Sequence, residues 1–159
     1  ESETYYHDIL GYNYRMTNLQ AAIGCAQLEK ADLIIDKKIY NANLFKQFLN
    51  DVPGISFVKE PENVKNTFWL ITIIIDEKMF GNNRDYVMRF LKENNIDSRP
   101  VFYPIHDMPP YAKYKIGKFP NSSYVSENGL SLPSSCNLTI EEIKRICSCL
   151  ITLYSNFKS

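Results

Sequence analysis

The sequence predicts an α+β domain in which a small, mostly antiparallel sheet packs against helices on one side. Three observations lead there. A run of β-branched and aromatic residues, Thr67 to Asp76, has the length and composition of a central strand. Apolar residues recur at helical spacing in 17–50, 84–94 and from Leu138 onward. After the first long helix the elements follow as strand, strand, helix, strand, helix, an order that lacks the strict strand–helix alternation of a parallel sheet.

Residues 1–16 form a polar, aromatic arm with little periodicity. Thr17-x-x-Gln20 is a capping box that opens a helix: the Thr17 hydroxyl and the Gln20 amide satisfy orphan backbone donors. Leu19, Ala22, Ile23 and Ala26 begin the apolar stripe; Leu33, Ile34, Ile39, Leu44, Phe45 and Phe48 continue it. So long a run predicts a break near 29–32, and Pro53-Gly54 ends it. Ile55 to Lys59 is a short strand. Gly81-Asn82-Asn83 is a turn, and Arg84 to Asn94 is a helix with Val87, Phe90 and Leu91 on one face. Pro100 makes 96–102 an edge or irregular strand. Residues 103–120, rich in proline and aromatic side chains, read as an ordered functional loop. A short helix over 122–128 and an extended stretch over 130–133 follow. Thr139-x-x-Glu142 is a second capping box, opening a helix that runs to about Ser155.

Composition narrows the function classes. The 159 residues are 45% hydrophobic and 13% aromatic, as in a globular domain. Lys plus Arg and Asp plus Glu number 18 each, and the aromatic residues lack basic interleaving, which argues against a nucleic-acid face. No stretch approaches the roughly 20 apolar residues of a membrane span. The start, Glu1-Ser2-Glu3-Thr4, has neither a signal peptide's pattern nor an initiator Met. We therefore expect a cytoplasmic protein and a fragment of a longer chain. Cys25, Cys136, Cys147 and Cys149 have no metal or disulfide spacing; Cys25 falls in an apolar helical pattern, and buried reduced thiols are expected.

The residues with the richest chemistry precede the first capping box. Asn13 and Arg15, flanked by Tyr12 and Tyr14, offer a neutral amide and a forked guanidinium beside a helix start, the makings of a phosphate pocket. The alternative is an arm that packs its tyrosines on a neighbour and leaves Arg15 in water. His106 in the proline-rich loop is either a substrate contact or a packed structural group. Tyr103 has the same two readings. Arg99 either contacts a nucleotide or, as we favour, pairs with a local carboxylate. His7 carries no specific role beyond an exposed interface position.

Five blocks resemble one family in order. These are Gly11-Tyr12-Asn13-Tyr14-Arg15-Met16 with Gln20-Ala21-Ala22-Ile23-Gly24, Ala26-Gln27-Leu28-Glu29, Asn95 to Pro100, Tyr103 to Tyr111, and Gly129 to Pro133. They resemble the DegT/DnrJ/StrS-type sugar aminotransferases of fold type I, with Asn95 where that family usually has Gly. The resemblance implies pyridoxal phosphate as cofactor and the fold of the family's small C-terminal domain, with 1–16 as an active-site and dimer arm and 17–159 as the domain proper. It implies cofactor binding by Asn13 and Arg15, Asn13 reaching the phosphate of a neighbouring subunit and Arg15 lying near the same pocket, where its fork suits either that phosphate or the diphosphate of a nucleotide sugar, and substrate binding by Tyr103 and His106. It implies a nucleotide-sugar substrate, a 4-keto-6-deoxy sugar that the Met108-Pro109-Pro110-Tyr111 variant suggests is GDP-linked, with glutamate as amino donor. The family's Schiff-base lysine lies in a large domain upstream of the Gly-Tyr-Asn-Tyr-Arg segment. No catalytic residue is therefore expected in this chain, which should be inactive alone. A sugar 3-dehydratase of the same family, or a non-catalytic binding or oligomerisation module, are the competing readings.

Overall fold

Thr17 caps helix α1 (Asn18–Leu28) in the computed structural model, which describes residues 9–158. The Thr17 hydroxyl accepts the Gln20 backbone N–H at 3.3 Å and the Gln20 side-chain oxygen Oε1 accepts the Thr17 backbone N–H at 3.0 Å, the reciprocal pair expected of the capping box. Helix α1 stops as predicted. The Glu29 N–H still reaches the Cys25 carbonyl four residues back, but the Lys30 N–H tightens onto Gln27, and helix α2 (Ala31–Leu49) starts anew. The chain divides into two compact units, 1–33 and 34–159. His7 lies outside the described residues.

The first unit buries no residue of α1. Leu19, Ile23 and Leu28 are all exposed. Cys25 is exposed too, which corrects the expectation of a buried thiol. Its helical spacing was real, but no partner surface covers that stripe among the described residues.

The second unit is built on four strands, β1 (Ile55–Phe57), β2 (Ile71–Ile75), β3 (Arg99–Pro100) and β4 (Gly129–Leu132), in the order β1-β2-β4-β3 and antiparallel throughout. Register explains the core. Ile55 and Phe57 pair with Ile75 and Ile73, and Ile73 and Ile71 pair with Leu130 and Leu132, so all seven share one face. That face meets Phe45 and Leu49 of α2, Val87 and Leu91 of α4 (Arg84–Glu93), and Ile143, Ile146, Leu150 and Leu153 of α6 (Ile140–Lys158) in one apolar cluster. The opposite face carries the cross-strand row Thr72, Ser131 and Arg99, with the two hydroxyls 3.3 Å apart.

Several elements differ from the sequence reading. Strand β2 starts at Ile71 instead of Thr67, because Phe68 takes φ 48, with its N–H bonded to the Asn66 side chain at 2.9 Å, and turns out of the strand. A helical turn, α3 (Glu77–Phe80), fills the interval between the expected strand end at Asp76 and the turn at Gly81, which the sequence reading left without an element; Asp76 caps it through the Lys78 and Met79 N–H groups, and left-handed Gly81 closes it. Helix α5 (Pro120–Asn128) begins two residues early, with Pro120 in its first turn. Strand β3 is the exposed edge that Pro100 predicts. No helix among the described residues is long and apolar enough to cross a membrane.

Candidate cofactor and substrate site

Asn13 and Arg15 stand in the first unit, Tyr103 and His106 in the second, and each pair is described on its own unit. Nothing in the first pair is buried. The Arg15 backbone N–H donates to Asn13 Oδ1 at 3.0 Å, closing a tight side-chain turn just before the Thr17 cap. This bond orients the amide. With Oδ1 engaged, the Asn13 Nδ2 hydrogens are left to donate, and the Arg15 guanidinium adds a fork of donors with no partner among the described residues. No acidic residue occurs between Ile9 and Leu28. A donor set of one amide and one guanidinium, free of carboxylates, fits a phosphate dianion.

In the second unit, the loop after β3 folds into two short 3₁₀ turns, Ile105–Asp107 and Pro109–Tyr114. The first holds His106, whose ring lies 4.5 Å from that of Phe119 and whose side chain is largely buried. His106 Nε2 is 3.5 Å from Asp107 Oδ2, and Lys115 Nζ is 2.6 Å from the other oxygen of that carboxylate. The Lys115 hydrogen bond outweighs the opposing desolvation and, with the charges of His106 and Lys115 adding to it, holds the Asp107 carboxyl below its ordinary range. His106 lines an open concavity with Phe102, Pro104, Asn121, Ser122 and Val125. Tyr103 is exposed and does not line it.

Arg99 departs from expectation. It makes no ion pair among the described residues, although Asp97 lines the same hollow, along with Ser98, Ser131, Pro133 and Ser134. Its register opposite Ser131 places it on the sheet face away from the core. Beyond the residues singled out from sequence, the structure adds Asp107 and Lys115 beside His106, and an exposed stack of Trp69 on Phe102 with centroids 6.3 Å apart. The Asp107 position was readable from its adjacency to His106; the Lys115 contact, across a 3₁₀ turn, had no sequence signal. Among the described residues no group of acidic, histidine or cysteine side chains could hold a metal ion.

The chain belongs to the DegT/DnrJ/EryC1/StrS aminotransferase family, which it matches over residues 1–151. It is 43% identical to the GDP-perosamine synthase of Vibrio cholerae over 92% of its own length and 40% of the relative's. A Bacillus subtilis relative whose name carries the words pyridoxal phosphate-dependent aminotransferase is 31% identical over 94% of this chain and 39% of its own length. The fold matches the crystal structure of a Brucella abortus aminotransferase of the family, with a TM-score of 0.83 at 21% identity, over 97% of this chain and 40% of that one. The chain thus spans about 40% of the length of these curated relatives.

Proposed function

We propose that this chain is the C-terminal portion of a pyridoxal phosphate-dependent nucleotide-sugar aminotransferase that aminates a GDP-linked 4-keto-6-deoxy sugar with glutamate as donor. The identity to a GDP-perosamine synthase over nearly the whole chain carries this reading. The carboxylate-free pair of Asn13 and Arg15 supports the cofactor assignment.

Bound pyridoxal phosphate supplies an electron sink for the bonding pair released at the carbon that bears the amino group. This chain's residues bind and orient. Asn13 Nδ2 and the Arg15 guanidinium hold the phosphate of a neighbouring subunit in a homodimer, with residues 1–16 acting as the arm that reaches it. His106 and Tyr103 contact the sugar from the proline-rich loop. The cofactor-bearing lysine belongs to a large domain outside this chain. The uncovered Leu19, Ile23 and Leu28 of α1, and the exposed Phe102, Ile105 and Ile116 of the loop, are surfaces that such a domain would cover.

The test is the intact protein given glutamate and a GDP-linked 4-keto-6-deoxy sugar. The expected outcome is an amino sugar nucleotide with one 2-oxoglutarate formed per amino group, and a visible absorbance band from the lysine-bound cofactor. The 159-residue chain alone should give neither. Loss of a sugar hydroxyl without amination would replace the reading with the dehydratase one, and an intact protein that never takes up the cofactor would overturn both.

A further inference from the structure

We propose that Asp107, pinned by Lys115, is a positioning residue that fixes which nitrogen of His106 carries the proton, so that His106 offers a lone pair to a sugar hydroxyl and not a donor to a keto oxygen. This rests on the reading of His106 as a substrate contact.

The two imidazole nitrogens have different surroundings. Nε2 is closed off from solvent, has no hydrogen-bond partner of good geometry, and faces Asp107 Oδ2 at 3.5 Å. Nδ1 is not closed off in this way and takes no hydrogen bond from the described residues, while the ring lines the concavity bounded by Phe102, Asn121 and Ser122. A carboxylate only accepts hydrogen bonds, so a neutral imidazole beside it places its single hydrogen on the nitrogen that faces it. That nitrogen is Nε2. The lone pair is then on Nδ1, on the accessible side.

The surroundings hold this arrangement. Lys115 Nζ takes Asp107 Oδ1 at 2.6 Å, which keeps the carboxylate ionised and leaves Oδ2 turned to the histidine. The Phe119 ring, tilted 41° to the imidazole, packs against the ring itself. A bare nitrogen accepts from O–H and repels the oxygen of a carbonyl. The ligand group that meets His106 is therefore a hydroxyl, and the reacting keto carbon lies elsewhere in the site.

The experiment is a long-range nitrogen–proton NMR correlation on histidine-labelled chain at pH about 8.5, above the ordinary histidine range, with the His106 signals assigned by their loss in His106→Gln. Wild type is expected to show the proton on Nε2 alone. Asp107→Ala should raise the Nδ1-protonated form to a measurable minority; Asp107→Asn, which keeps a carbonyl acceptor, should restore the wild-type pattern. Lys115→Met, which frees the carboxylate without deleting it, should fall between. A mixed tautomer in wild type, or no change in Asp107→Ala, overturns the proposal. In the intact protein, Asp107→Ala should raise KM for the sugar nucleotide about fivefold with kcat unchanged, as for loss of one oriented hydrogen bond. Should His106→Gln leave that KM untouched, the substrate role of His106 falls while the tautomer result stands on its own.

Discussion

The backbone N–H of Arg15 is bonded to the side-chain oxygen of Asn13 at 3.0 Å, so one contact both closes the turn before the Thr17 cap and leaves the amide nitrogen to donate elsewhere. Asparagine does two jobs at this position: its oxygen closes the turn and its nitrogen is left to donate.

Asn13→Asp separates the two jobs. A carboxylate accepts the Arg15 N–H at least as well, so the turn survives, but it removes the amide donors and sets a negative charge against a phosphate. We expect cofactor affinity of the intact protein to fall roughly 100-fold, from the lost charge-assisted bond and the added repulsion, with the melting temperature of this chain unchanged. Asn13→Ala should weaken binding less. The measurement is cofactor titration by absorbance on both variants; equal affinity in Asn13→Asp and wild type would remove Asn13 from the phosphate site.

Asn95 stands in the left-handed region at φ 58, directly after the cap of α4. The Ile96 N–H returns to the Leu91 carbonyl at 2.9 Å and the Asn95 N–H to Lys92 at 3.0 Å, the paired bonds of a Schellman ending, with Ile96 and Leu91 both in the core. Asn tolerates this conformation and Gly adopts it freely. Asn95→Gly should therefore stabilise by about 0.5 kcal/mol, and Asn95→Ala should destabilise by about 1 kcal/mol. Urea denaturation of the two variants reads the pair, and the sign reversal between them is the diagnostic.

Much of the fold was legible because local chemistry and tertiary packing agreed. Thr17 and Thr139 head capping boxes whose partners, Gln20 and Glu142, bond as the spacing requires. Pro100 excluded a central strand, and β3 is an edge. The misreadings have a common cause, which is that their deciding contacts are distant in sequence or absent. Phe68 turns out of strand geometry and sits buried beneath the Lys46 ammonium, 4.8 Å above its ring, a contact between residues 22 positions apart. Composition alone made 67–70 look like strand. Arg99 has the side chain for an ion pair, but its register sets it across from Ser131, and Asp97, which lines the same hollow two residues earlier, makes no ion pair with it. At the site, His106 stood out by type, whereas the Lys115 contact that organises Asp107 depends on how two 3₁₀ turns fold back.

Glu142 accepts both the backbone N–H and the hydroxyl of Thr139, at 2.8 and 3.1 Å, and these bonds, the backbone one foremost, lower its pKa from 4.5. A carboxyl depressed on folding contributes stability that is full above its unfolded pKa and is lost as the pH falls through the folded one. Glu142→Gln should thus melt earlier than wild type near neutral pH, with the difference shrinking as the pH drops below about 4.5. Melting curves from pH about 6 to pH about 3 test this; a constant gap across the range would assign the effect to packing of the side chain.

The cysteines report on what covers the first helix. Burial pushes the Cys147 thiol up to about 12 and raises Cys149 as well, the latter partly offset by Arg145. Cys25 is exposed on α1 among uncovered apolar residues. Only thiolate reacts with an aromatic disulfide reagent, and only where the reagent can reach it. In this chain at pH about 8, Cys25 should be modified promptly, Cys147 should resist until the fold is opened by denaturant, and Cys25→Ser should abolish the prompt reaction of Cys25. In the intact protein the same Cys25 should be slowed by at least about tenfold, because a surface bearing Leu19, Ile23 and Leu28 is stable in water only when another apolar surface lies over it. Equal Cys25 rates in the two proteins would mean that α1 remains open in both, and the proposed cover by a large domain would have to be abandoned.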